Sequence, residues 1–159
     1  GTGSTALHHA PFVQKIVATD ISSNMIEIAR RKALEANITN VEFQCSALED
    51  FKAVDASFDV VMAHSILHLL EDPEQAIKLS YRLLKPGGVF ITSTACLGDS
   101  FSHWRILLAV GKFFHKVPYV NVLKRDTLNR YLGDAGFEVA LKWNRKKQAA
   151  FIILKKPAD

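Results

Sequence analysis

Only two cysteines occur among the 159 residues, Cys45 and Cys96, and no Cys-x-x-Cys pair is present. A disulfide framework and a cysteine-based zinc site are therefore excluded, and a reducing compartment, the cytoplasm, is expected. No His-Glu-x-x-His pair occurs, so no metal is expected either. No apolar run approaches the roughly 18 residues of a membrane-spanning helix. Proline and glycine are sparse, at five and eight residues, which excludes a collagen-like chain. A strong charge of one sign is missing as well. The net charge of +4 permits an anionic partner without demanding one. Internal repeats, low-complexity stretches and domain linkers are also lacking.

What is present suits one globular domain spanning residues 1–159. The chain is 48% hydrophobic and 23% charged, and a domain near this size buries about 70% of its unfolded surface. Lys15–Asp20 (KIVATD) is a short apolar run ending in an acid and predicts a buried strand. Ser22 or Ser23 caps the helix that follows, with Met25, Ile28, Ala29, Lys32, Ala33 and Ala36 at helical spacing and Asn37 as its terminator. Val41–Ser46 alternates like a strand. Phe58–Ser65 (FDVVMAHS) has an almost wholly apolar middle, suited to a sheet covered on both faces. Asp72 and Pro73 open a second helix, and Leu84-Lys85-Pro86-Gly87-Gly88 stops it. Val89–Ala95 is the next strand. This alternation predicts an α/β fold with a mostly parallel sheet. The end differs. Asp126 caps a helix through Ala135, and strands Phe137–Trp143 and Gln148–Lys155 then form an antiparallel hairpin over a four-residue connection.

The first six residues, GTGSTA, match Gly-x-Gly-x-x-Gly/Ala, and Asp20 ends the next strand. Glycines let backbone amides approach a ligand, a helix N-terminus favours negative charge, and a strand-tip carboxylate accepts ribose hydroxyls. The glycine turn with its acid does not choose between NAD and S-adenosylmethionine. The structural alternative is a plain tight turn and a solvated acid.

The order GTGS, VATDIS, FDVVMAHSILHLLEDPE, LLKPGGVFI, DAGFEV and a closing hairpin resembles the class I S-adenosylmethionine-dependent methyltransferases. It is most similar to the small-molecule branch that includes ubiquinone- and menaquinone-type methyltransferases. The resemblance covers Gly1 to Lys156. It implies a Rossmann-like, doubly wound, mostly parallel sheet ending in an antiparallel hairpin. It also implies S-adenosylmethionine as cofactor, with methyl transfer to an oxygen or carbon of an apolar small molecule. The family's pattern opens with a strand, an acid and an earlier glycine, so a first central strand is expected upstream of Gly1. An NAD-dependent oxidoreductase fragment and a non-catalytic cofactor-binding subunit are the alternatives.

By the same resemblance, Gly1, Thr2 and Gly3 lie against the methionine portion of the cofactor, and Asp20 binds the ribose. Ile21 and Met25 pack on the adenine, although Met25 also reads as ordinary helix core. Ser46 stands where the family often has an aspartate that bonds the adenine amino group. Ala47 and Leu48 contact the adenine edge. Ala63 and His64 lie at a strand tip near the sulfonium. The motif Asn/Asp-Pro-Pro-aromatic of amino-group methyltransferases is replaced by Ala63-His64-Ser65-Ile66-Leu67-His68.

His64 and His68 are the candidate catalytic residues, since imidazole titrates near neutrality and can take a proton from a substrate hydroxyl. Their bland reading is packing or structural hydrogen bonding. The basic cluster Lys142, Arg145, Lys146 and Lys147 reads as a solvated hairpin tip, without the interleaved aromatics of a nucleic-acid site. Residues 98–122 are the most individual part. Read as a helix, Phe101–Val117 carries apolar residues almost all round. It is expected to lid an apolar acceptor pocket walled by Trp104, Leu108, Phe114 and Tyr119. Arg105 and the lysines then meet water or anionic lipid headgroups. A packing helix or a homodimer face is the alternative.

Overall fold

The computed structural model describes residues 1–96, 121, 123–146 and 149–158, with the side chains of 144–146 and 149 left aside. The chain divides into two compact units, Gly1–Lys52 and Ala53–Asp159. The segment Phe101–Val117 and Trp104, Leu108, Phe114 and Tyr119 lie outside the described residues, as do Lys147 and the side chains of Arg145 and Lys146. No helix among the described residues is long and apolar enough to cross a membrane.

In the first unit a short helix α1 (Ser4–His9) precedes β1 (Ile16–Asp20), α2 (Ser23–Glu35) and β2 (Val41–Cys45). The strands pair in parallel, from Ile16 opposite Val41 to Asp20 opposite Cys45. Ser22 caps α2, its hydroxyl accepting from Met25 N at 3.4 Å. This satisfies one of the donors that a helix start leaves open. Asn37, at φ 54°, takes the left-handed conformation just past the helix end. Ile26, Ala29 and Ala33, spaced to share one helix face, pack with Phe43 of β2 as the core.

In the second unit β3 (Phe58–His64), α3 (Pro73–Leu83), β4 (Leu84–Ala95), α4 (Arg125–Asp134), β5 (Glu138–Lys146) and β6 (Ala149–Lys155) follow in sequence. The sheet order is β3-β4-β6-β5, with β3 and β4 parallel and the last two pairings antiparallel. The expected closing hairpin is therefore present, with a tighter turn than four residues, because Lys146 already pairs with Ala149. Asp72 caps α3 by accepting from Gln75 N at 2.8 Å, and Pro73 takes the first helical position. Asp126 falls in the first turn of α4 rather than at its cap, which is Lys124. A carboxylate there still opposes the helix dipole favourably.

Two further sequence expectations change. First, β4 starts at Leu84, not Val89. Phe58 pairs with Leu84 and Val60 with Val89, so the Lys85-Pro86-Gly87-Gly88 segment is an insertion within the strand. It is tied in by Gly87 N to Lys156 O at 3.0 Å and Lys156 N to Gly88 O at 2.9 Å. A Cβ on Gly88 would meet Lys85 O at 2.8 Å, so only glycine fits. Second, the two faces of β3's sheet are unequally buried among the described residues. Ala63, Phe90, Thr92, Ile152 and Leu154 are buried on one face. There α3 contacts β3, β4 and α4. Phe137 stacks on Phe90 at 5.2 Å and meets Tyr81 edge-on at 5.0 Å. On the opposite face Met62, Ile91, Ile153 and Leu141 form one row across the four strands. Met62 is 41% and Leu141 53% exposed.

Candidate active site

In the first unit, Asp20 ends β1 at the carboxyl edge of the parallel pair, the edge where open α/β sheets bind ligands. Its Oδ1 accepts from Ser22 N at 2.8 Å, and its Oδ2 contacts the Gly1 amino group. The backbone then draws β2's end alongside, with Ser46 N donating to Asp20 O at 3.1 Å. The Ser46 hydroxyl donates to Ala47 O at 2.8 Å, which leaves its oxygen lone pairs as acceptors. Such an oxygen can accept a hydrogen bond from an amino group. Ile21 stands next to Asp20 and is 77% exposed, and Met25, one turn into α2, is 37% exposed. Two apolar side chains close to Asp20 in sequence are thus left partly or largely exposed. Ala47 and Leu48 are half-buried.

Gly1, Thr2 and Gly3 lead into α1. Gly3 has φ +74°, and a Cβ there would sit 2.8 Å from Ala29 Cβ and 3.0 Å from the Phe43 ring. The second glycine is thus fixed by packing on α2 and β2. Nothing lies within 4 Å of the equivalent position on Gly1. A residue missed from sequence completes this turn: Lys32 Nζ donates to Thr2 Oγ1 and to Ser4 Oγ, each at 3.2 Å. The helical spacing placed Lys32 on α2, but nothing in the pattern paired it with residues 28 and 30 positions earlier.

In the second unit the tip of β3 carries Ala63 and His64. Ala63 is buried, and its carbonyl accepts from Thr92 Oγ1 at 3.1 Å. His64 pairs with Ser93 in register, and its Nδ1 lies 3.2 Å from Ser93 Oγ. The imidazole stacks on Phe151, with ring centres 6.5 Å apart and planes 10° from parallel. Ser65 turns the chain away at φ +54°, its N–H donating to Ser93 O at 2.8 Å. A serine in this conformation carries some strain, which the surrounding bonds hold. Ser93 and Phe151 are further residues that sequence reasoning missed. Aligning the polar tips of FDVVMAHS and VFITSTA would have found Ser93.

His68 lies in the 3-10 turn Leu67–Leu69. Its Nδ1 is buried with no hydrogen-bond partner among the described residues, and burial holds its pKa below the ordinary 6.5. Its carbonyl accepts from Asn121 N at 2.8 Å, and Asn121 Nδ2 reaches Leu70 O at 3.4 Å. The structure therefore brings Gly1, Asp20, Ile21 and Ser46 together in the first unit, and places His64 and Ala63 together in the second.

A family model described as a methyltransferase domain matches residues 1–92, more than half of the chain. The chain belongs to this methyltransferase family. Membership sets aside the reading as a dinucleotide oxidoreductase. A methyltransferase relative, the ubiquinone biosynthesis O-methyltransferase of Neisseria meningitidis, is 33% identical over 143 residues, covering 86% of this chain and 58% of its own. A solved S-adenosylmethionine-dependent methyltransferase from Mesorhizobium loti superposes with a TM-score of 0.80 at 16% identity, over 98% of this chain and 87% of that one. The [4+2]-cyclase SpnF superposes with a TM-score of 0.81 at 19% identity, over 100% and 72%. These likenesses show the methyltransferase fold, Rossmann-like and α/β. Because a cyclase shares it, the fold alone does not state the reaction. The chain spans 34% to 58% of the length of the curated relatives it matches.

Proposed function

We propose that this methyltransferase uses S-adenosylmethionine to methylate an oxygen or carbon of an apolar small molecule. The observation that carries the reading is the Asp20 carboxylate at the end of β1, with Ser46 N bonded to the Asp20 carbonyl and the exposed Ile21 and Met25 close to it in sequence. That set fits an adenosine: acid for the two ribose hydroxyls, apolar side chains for the ring faces, an acceptor for the amino group. Gly1, with open space beside it, lets backbone approach the rest of the cofactor, and Thr2 and Gly3 continue that turn. Ala47 and Leu48 supply the ring edge. The naming of a relative as a quinone-pathway O-methyltransferase supports an apolar acceptor.

When bound, S-adenosylmethionine supplies a methyl carbon made electrophilic by a positively charged sulfur. The chain's own residues then have two tasks. One is alignment, since holding reactants in place can contribute about 7–11 kcal/mol. The other is the proton. A histidine, His64 or His68, would take the proton of an acceptor hydroxyl, and the oxygen keeps the electron pair that attacks. The imidazolium afterwards releases that proton to water. His68, neutral and half-buried, serves less readily as the base, because burial disfavours its charged form.

Calorimetry with S-adenosylmethionine tests the reading. Asp20→Ala is expected to weaken binding about tenfold or more, since charge-assisted hydrogen bonds contribute roughly 1.5–3 kcal/mol each. Unchanged affinity in a folded variant refutes the assignment. Tight binding without turnover across a panel of phenolic and quinol acceptors favours the non-catalytic reading.

A further inference from the structure

Three consecutive residues, Thr2, Gly3 and Ser4, meet the same face of α2. Gly3 is in the left-handed conformation, and a Cβ on it would stand 2.8 Å from Ala29 Cβ. On either side of it, Thr2 Oγ1 and Ser4 Oγ accept from one ammonium group, Lys32 Nζ, each at 3.2 Å. Ala29 and Lys32 are three residues apart, so they stand one above the other on that face of the helix. The direction of both bonds is fixed, because an ammonium group carries donors only. The same helix begins beside Asp20, where Ser22 N donates to Asp20 Oδ1 at 2.8 Å and Ser22 caps α2. One helix of the first unit therefore carries contacts to both the strand-end acid and the glycine turn.

Glycine loses more conformational freedom on ordering than any other residue, and a ligand that must order its own site binds more weakly. We propose that Lys32 is a positioning residue for the cofactor: by holding Thr2 and Ser4 it keeps the Gly1–Gly3 turn shaped for the methionine portion of S-adenosylmethionine before the ligand arrives. The proposal rests on the reading of this turn and of Asp20 as the cofactor site. Lys32 does not touch the cofactor in this account. It acts through the two hydroxyls alone. Asp20 serves the ribose independently, so the loss of Lys32 is felt at one end of the ligand only.

Calorimetry of the full chain with two ligands tests this. S-adenosylmethionine carries the amino-acid portion and methylthioadenosine lacks it, while both contain the adenosine. Lys32→Met keeps the stem and removes the donors. It should weaken S-adenosylmethionine about fivefold, the scale of ordering one rotamer-rich side chain on binding. Methylthioadenosine should bind it nearly as well as the parent, which also reports that the variant is folded. Lys32→Arg, which keeps a cationic donor, should recover most of the loss. Removing the acceptors instead, in Thr2→Val with Ser4→Ala, should copy Lys32→Met, and adding Lys32→Met to that pair should cost nothing more. Amide exchange at Leu7, whose N–H donates to Gly3 O at 2.9 Å, reads the turn without ligand and should quicken in Lys32→Met. Equal weakening of both ligands, additive losses, or an unmoved Leu7 amide overturns the proposal. If the parent binds neither ligand, the cofactor reading fails and the positioning role falls with it. If the parent binds both and Lys32→Met changes neither, only the role of Lys32 falls.

Discussion

The second unit takes Phe90, Ile77, Leu84, Leu128, Ile152 and Leu154 fully out of solvent, whereas the core of the first is Ile26, Ala29, Ala33 and Phe43. Half of that smaller core is alanine. The first unit also leaves Phe12, Ile21 and Leu34 more than three-quarters exposed. Yet the first unit holds the groups on which the proposed cofactor binding rests. The contrast teaches that its residues are arranged around surface chemistry, with little burial to spare. A segment of some fifty residues is marginal on its own, and ligand sites are drawn from the less stable parts of proteins.

The largest effect should come from each unit's aromatic centre. Phe43→Ala and Phe90→Ala each remove about 3–5 kcal/mol by the usual cost of emptying an aromatic core site. If the contrast is right, Phe43→Ala abolishes hydrogen-exchange protection throughout β1 and α2. Phe90→Ala should leave β4 and β6 protected at a lower denaturant midpoint. Equal behaviour of the two variants breaks the comparison. Acidification gives a smaller effect within the second unit. The pKa of His68 is lowered in the folded state, so its stabilising contribution is complete above the ordinary 6.5 and declines as pH falls below it. Urea midpoints read by β4 and β6 exchange should drop from pH 7 to 5. In His68→Leu that part of the slope should vanish, and an unaltered slope would rule His68 out as its source. Smallest of all, Leu141→Thr on the more exposed face should stay within about 0.5 kcal/mol. A loss of several kcal/mol in thermal unfolding would show that this face is a packed one.

Much of this was legible because it is local. The caps at Ser22 and Asp72–Pro73, the stop at Asn37 and the antiparallel hairpin follow from side-chain chemistry within a few residues. So did Asp20, which the strand-end position singled out. What escaped depends on pairing between distant strands. An apolar strand such as Val60-Val61-Met62 does not show how unequally its two faces are buried, because hydrophobicity records what a strand can bury and not what lies over it. The insertion at Lys85–Gly88 looked like a turn outside the sheet, since its bonds go to Lys156 and Pro157. Ser93 and Lys32 meet their partners only once register and helix placement are fixed. Nothing in a periodic pattern assigns them.

The two edges of the four-stranded sheet differ in how they would meet another chain. At β5 the register shifts twice, between Val139 and Leu141 and between Trp143 and Lys146, and Glu138 and Lys142 stand exposed along it. Bulges and charges of this kind discourage a foreign strand from adding on. At β3 there is one irregularity, between Phe58 and Val60, and a single acid, Asp59. Beyond it Val60, Val61, Met62 and Ala63 run without a charge. A lysine in place of Val60 would oppose the pairing of any further strand with β3.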